Sequence, residues 1–303
     1  MEKNAFSETV DKLHKVIVKV SENKDNEKLM DWLKKACAPE KELIEALFEN
    51  FMEVVEEAEQ STKLLMILKK LNELLPDVVL PQMQVSKKFP KAISHYIEVT
   101  DPQRMTGDAL VLLVNLYSTS SFKEVTDVAF VKALFDVFEF IIEEDFFRAL
   151  VSILVSVHYE STTRPDSIVM QQVREHPSAL YFKETLFQLL NMGSYDKAKQ
   201  CLQLFVDIFA HKDLANNFHH NDLNMLLIII EREVINESAK HLRRGYLRLL
   251  KLVLKTDWYQ KERIKEEDLI GLLHSLRHDE EADEFLIKEA ESILKEQFPA
   301  EID

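Results

Sequence analysis

Residues 222–255, DLNMLLIIIEREVI-NES-AKHLRRGYLRLLKLVLK, decide how this chain folds. Residues 222–235 are apolar at Leu223, Met225, Leu226, Leu227, Ile228, Ile229 and Ile230, on nearly every face of a helix. Such a helix must be covered on both sides, as an inner helix of a layered stack is. Residues 238–255 sort differently. Leu242, Tyr246, Leu249, Leu250 and Val253 take one side of a helix. Lys240, Arg244, Arg248, Lys251 and Lys255 fall within an arc of roughly 80° on the other. Asn236-Glu237-Ser238 between them reads as a short turn with Ser238 as N-cap.

The same periodicity recurs along the chain. Ile44, Leu47, Phe48, Phe51, Val54, Val55 and Ala58 form one stripe, and Val131, Leu134, Phe135, Phe138, Ile141 and Ile142 another. Further helices are expected at 6–20, 29–37, 63–75, 89–99, 107–117, 144–159, 178–192, 194–210, 266–277 and 280–297. Gly193-Ser194 reads as a helix stop followed by an N-cap. Seven prolines (39, 76, 81, 90, 102, 165 and 177) fall at breaks between periodic segments, and 160–177 reads as a loop containing a short helix. The chain has only 4 Gly and 8 Pro, against about 21 and about 15 at average usage. A sheet-rich fold needs tight turns at positive φ, which this composition does not supply. The expected class is all-α, an armadillo/HEAT-like helical repeat solenoid forming a single domain over 1–303, with a softer part at 1–102. No strict repeat is visible at about 34 or about 42 residues, which argues against tetratricopeptide units.

Composition also excludes functions. A net charge of −15 disfavours nucleic-acid binding, which requires a positive surface. The opening residues mix Glu, Lys and Asp and do not read as a signal peptide. The longest apolar run, 225–230, is far short of the about 20 residues a bilayer requires. Cys37 and Cys201 have no zinc spacing, and Cys201 lies on an apolar stripe as a reduced core thiol. That suits a cytoplasmic location. Four glycines cannot write a phosphate-cradling loop, and no nucleophile elbow is present. His219-His220 with Asp222 is the best metal-like group, but adjacent histidines diverge on a helix, and Asn221 or Asp222 reads better as an N-cap. The expectation is a binding protein that is not an enzyme, with no cofactor and no metal.

Two charged features stand out. Between Glu40 and Gln60 there are eight glutamates and one lysine, with Glu42, Glu45, Glu49, Glu53 and Glu56 on one side of the expected helix. This is a solvated outer face or a contact for a basic partner. The basic row of residues 240–255 repels itself by a few tenths of a kcal/mol per pair. Either neighbouring acidic helices offset that cost, or an acidic partner does, through Arg244, Arg248, Lys251 and Lys255.

Three pieces in order carry a family resemblance. Phe182-Lys183-Glu184-Thr185-Leu186 with Leu189, Leu190, Asn191 and Gly193 is the first. His220-Asn221-Asp222-Leu223 with Leu226 and Arg232 is the second, and Leu242-Arg243 with Tyr246-Leu247 the third. Together with a looser likeness over 264–273, residues 182–298 resemble the armadillo domain of the NCK-interacting SH3-protein family, also called the Wish/Dip family. The resemblance implies a chain that binds the actin-related-protein 2/3 complex and activates it without a preformed actin filament. The product would be linear seed filaments, at cortical actin structures. Actin would be an indirect partner, and no membrane span is implied. The chain is similar to the smaller family forms, without an SH3 domain or proline-rich segment. The alternative is a generic armadillo-type adaptor holding another helical or peptide partner.

Overall fold

In the computed structural model, described for residues 3–22, 27–38, 42–86, 88–101, 107–117, 126–140, 144–192, 195–279 and 283–301, the described residues form eighteen α-helices and no strand. The chain divides into two compact units, Met1–Ile153 and Leu154–Asp303.

The first unit contains α1 (Lys3–Glu22), α2 (Glu27–Ala36), α3 (Leu43–Glu53), α4 (Ala58–Leu74), α5 (Pro76–Val85), α6 (Lys88–Val99), α7 (Gly107–Tyr117), α8 (Val128–Val137) and the first part of α9 (Glu144–Glu160). Helices α3, α6 and α8 begin at residues 43, 88 and 128 and pack side by side in that order. Helix α4 lies against α3 and α7, and Lys69 of α4 binds Asp108 of α7 at 2.7 Å. Phe48 stacks on Phe89 at 4.3 Å between ring centroids, and Phe51 meets Tyr96 at 5.7 Å. These rings are buried and tie α3 to α6.

The second unit holds the rest of α9, then α10 (Ile168–Glu175), α11 (Ala179–Met192), α12 (Tyr195–Phe209), α13 (Lys212–Ala215), α14 (His220–Asn236), α15 (Lys240–Val253), α16 (Asp257–Glu262), α17 (Glu266–His278) and α18 (Glu284–Gln297). Three hairpins, α11/α12, α14/α15 and α17/α18, stack in two layers. One layer begins at 179, 220 and 266, steps of 41 and 46 residues. The other begins at 195, 240 and 284, steps of 45 and 44. That is the armadillo/HEAT period of about 40–47 residues. The solenoid repeat is real, although residue identities do not display it. Gly245 lets the second layer close up: a Cβ there would lie 2.4 Å from Leu202 Cδ2 on α12.

Helix ends follow local chemistry. Asp127, Ser167, Thr256 and Asp283 accept a backbone N–H from the third following residue and start α8, α10, α16 and α18. No described glycine has positive φ; Glu42, Arg263 and Lys265 take the left-handed region instead. A glycine-poor chain thus breaks helices at a steric cost of about 1 kcal/mol per site.

Several expectations need correction. Pro81 lies inside α5, and Pro90 lies in the first turn of α6, where a missing N–H costs nothing. Pro76 opens α5 rather than marking a simple break. The acidic stretch is not one helix, because α3 stops at Glu53 and Glu56 falls in the turn before α4. The N-cap of α14 is His219, not Asn221 or Asp222, and that of α15 is Ala239, not Ser238; neither makes a side-chain cap bond. Glu237 takes over part of the capping by accepting the Ala239 N–H at 2.7 Å. Gly193-Ser194, Pro39, Pro102, Ile141 and Ile142 lie outside the described residues.

Candidate protein-interaction surface

Helix α14 sits in the layer of α11 and α17 and faces α15. It buries Leu223, Leu226, Leu227, Ile229, Ile230 and Val234. Its opposite side is open: Met225 is 52% exposed, Ile228 43% and Ile235 59%. The expectation that α14 is covered on both sides is therefore wrong. One layer covers it, and its apolar surplus faces solvent. Arg232, between Ile228 and Ile235, donates to Asn191 of α11 at 2.8 Å. That bond sets α14 alongside α11, whose first turn exposes Leu180 and Tyr181. Large, exposed, helically spaced apolar groups beside amides are the composition of a docking face.

The basic row has a different environment. Arg244 Nη2 lies 3.0 Å from Asp283, and its guanidinium sits 5.3 Å from the Phe285 ring centroid. Lys251 Nζ meets Glu296 at 2.9 Å, Glu289 at 3.4 Å and Ser292 Oγ at 2.8 Å. Lys255 reaches the other oxygen of Glu296 at 2.9 Å. Hydrogen bonds from Lys251, Lys255 and Ser292 hold the Glu296 carboxyl down to about 2. Partial burial works against the Asp283 charge, yet Arg244 and the Leu286 N–H keep its pKa below the usual carboxylate range. Acidic α18 thus offsets the repulsion within the row. Arg248 and Lys240 differ: both are exposed, neither makes an ion pair among the described residues, and the Arg248 guanidinium lies 5.9 Å from the Phe285 ring centroid.

Sequence reading missed one buried polar cluster. His158 accepts from or donates to Ser167 Oγ at 2.8 Å through Nδ1, and its Nε2 meets Asp207 at 2.9 Å. Gln203 also donates to Asp207 at 3.0 Å. Ser, His and Asp in a row resemble a hydrolytic triad, but all three are buried. The Ser167 hydroxyl already accepts the Met170 N–H as the cap of α10. A nucleophile must reach a substrate, and this one is committed to structure. The cluster joins α9, α10 and α12. Nearby, burial lowers the pKa of Lys197, which donates to Ser156 Oγ at 2.6 Å. Burial likewise lowers that of Lys183, whose ammonium lies 5.1 Å from the Phe218 ring centroid.

Neither remaining candidate offers convergent chemistry. The His220 ring lies 6.3 Å from that of Trp258. A depression of about 770 Å³ is lined by Arg263, Lys265, Glu266, Glu267, Gln297 and Phe298 among others. Its cations are engaged internally, Arg263 with Glu266 and Lys265 with Glu231.

Two engineered proteins with solved crystal structures, both from the Northeast Structural Genomics Consortium, are similar over much of the chain. One is 14% identical, with 83% of this chain and 95% of that one covered and a TM-score of 0.39. The other is 13% identical, with 92% and 77% covered and a TM-score of 0.36. At these scores neither likeness carries an argument. A family model does match: SPIN90/Ldb17, leucine-rich domain, over residues 141–269. It starts earlier than the expected 182 and ends before the expected 298. It takes in both the open face of α14 and the basic row of α15. The resemblance read from three sequence pieces is borne out: residues 141–269 match the SPIN90/Ldb17 leucine-rich domain.

Proposed function

We propose that this chain is an actin regulator that binds the actin-related-protein 2/3 complex and activates it without a preformed filament, giving linear seed filaments. The observation that supports this reading most is the uncovered apolar stripe of α14, Met225 and Ile228, inside the family segment 141–269. A helix of the complex would lie along α14 and α11, burying that stripe in a helix-in-groove mode. The basic row takes part through Arg248, while Arg244, Lys251 and Lys255 hold α18 beside it.

No covalent step is required. The chain acts by binding the active arrangement of the complex better than the resting one and so shifting its population. It works in the cytoplasm, at cortical actin. Among the described residues no helix is long and apolar enough to cross a membrane.

The test replaces Met225 and Ile228 with Asp together. Each side chain is about half exposed, so docking would bury roughly 1 kcal/mol of apolar surface per residue, and carboxylates there add a desolvation cost. Binding to the complex should weaken by at least about tenfold, with the far-UV spectrum unchanged. Wild-type binding by the double variant would remove the α14 face. Binding of the complex without accelerated assembly would favour the adaptor reading.

A further inference from the structure

We propose that the α1/α2 pair is a docking surface for an anionic membrane. Helices α1 and α2 pack together. They bury Val10, Leu13 and Ile17 from α1 and Leu33 from α2. Opposite these, α1 exposes Lys12, Lys15 and Lys19, which at about 100° per residue fall within an arc of roughly 60°. Val18, beside them, is 41% exposed. On α2, Trp32 is 45% exposed, with Lys28 four residues before it and Lys35 three residues after it. Lys34 is exposed as well.

This is unusual in a chain of net charge −15. The same two helices expose Glu8, Asp11, Glu27 and Asp31. Asp11, however, is paired with Lys63 of α4, and Asp31 with Lys35. Among the described residues, Lys12, Lys15, Lys19, Lys28 and Lys34 make no ion pair. Glu8 falls within the α1 lysine arc, and Glu27 and Lys34 lie on the side of α2 away from Trp32. Lys12, Lys15, Lys19 and Lys28 against Glu8 leave the outward surface net basic, with the Trp32 indole exposed.

The chemistry favours a lipid headgroup layer over an acidic peptide. A peptide site needs neighbouring apolar groups that bury side chains together. Here Val18 and Trp32 stand singly among lysines. An indole has an apolar body and a polar N–H, which suits the headgroup boundary. Lysine stems lie along apolar surface while their ammonium groups reach anionic lipid. Reversible, salt-sensitive association is the expected strength.

The test is co-sedimentation of the full chain with phosphatidylcholine vesicles and with vesicles containing about 30% phosphatidylserine. It requires neither actin nor its nucleating complex, so its failure is distinct from failure of the proposed function. The chain should bind the phosphatidylserine vesicles, lose them at high salt, and ignore pure phosphatidylcholine. Trp32→Ala should weaken binding several-fold. Lys15→Glu with Lys19→Glu and Lys28→Glu should weaken it by more than about a hundredfold, at roughly fivefold per lysine. Lys28→Gln alone, which leaves packing untouched, should weaken it about fivefold. No binding, equal binding to both vesicle types, or variants that bind as the wild type does would overturn the proposal. Binding to soluble polyglutamate as tightly as to vesicles would assign the surface to an acidic protein and overturn it too.

Discussion

Replacing Glu296 with Gln removes the carboxylate that holds Lys251 and Lys255 to α18. Taken at face value, a carboxyl held at about 2 rather than 4.5 is worth roughly 3 kcal/mol. Its side chain is 39% exposed, so solvent screening brings the net effect to about 1 kcal/mol. The folded-state pKa is depressed, so the contribution is complete above 4.5 and is lost as pH falls towards 2. The assay is urea unfolding followed by Trp258, which lies in the second unit, in a background of Trp32→Phe, so that the indole of the first unit is silent. Glu296→Gln should lower the unfolding free energy by about 1 kcal/mol at pH 7. The penalty should shrink at high salt and fade as pH drops below 4.5. No cost at pH 7, or an equal cost in acid, would refute the view that α18 neutralises the basic row.

Three further outcomes follow from the packing. Gly245→Val drives a side chain into Leu202; overpacking of about 1–3 kcal/mol outweighs the few tenths gained in helix propensity. Thermal unfolding should fall accordingly, and adding Leu202→Ala should relieve part of the loss in a double-mutant cycle. Among the described residues, His158→Ala leaves the buried Asp207 carboxylate with Gln203 as its side-chain partner and should cost about 3 kcal/mol by urea titration. Burial pushes the Cys37 and Cys201 thiols up to about 11 and about 12. Both should therefore resist a thiol reagent at pH 8 in the native protein and react at once in urea, whereas rapid native labelling would contradict the packing.

Helix class and most helix positions were legible because apolar spacing and a shortage of glycine are local signals. Gly107–Tyr117 was read to the residue. Helices α13 and α16 were not, being too short to show a period. The repeat was hidden for another reason. Helix starts recur at 41–46 residues in the second unit, but packing fixes only apolar character, so identities drift. The open side of α14 was misread because sequence reports how apolar a helix is and not how many neighbours cover it. The partner of the basic row did leave a trace. Asp283, Glu289 and Glu296 stand 39, 38 and 45 residues beyond Arg244, Lys251 and Lys251 again, about one repeat downstream. Charges complementary at the repeat length are readable in advance. The link from His158 to Ser167 and Asp207 is not, since 49 residues separate its ends and nothing in either sequence neighbourhood announces it.

The most direct measurement is fluorescence-followed assembly of actin with the actin-related-protein 2/3 complex and this chain, omitting Wiskott–Aldrich-type factors and preformed filaments. The account predicts faster assembly into unbranched filaments, abolished by Met225→Asp with Ile228→Asp. Assembly no faster than with the complex alone, from wild-type protein of intact helical content, would contradict it.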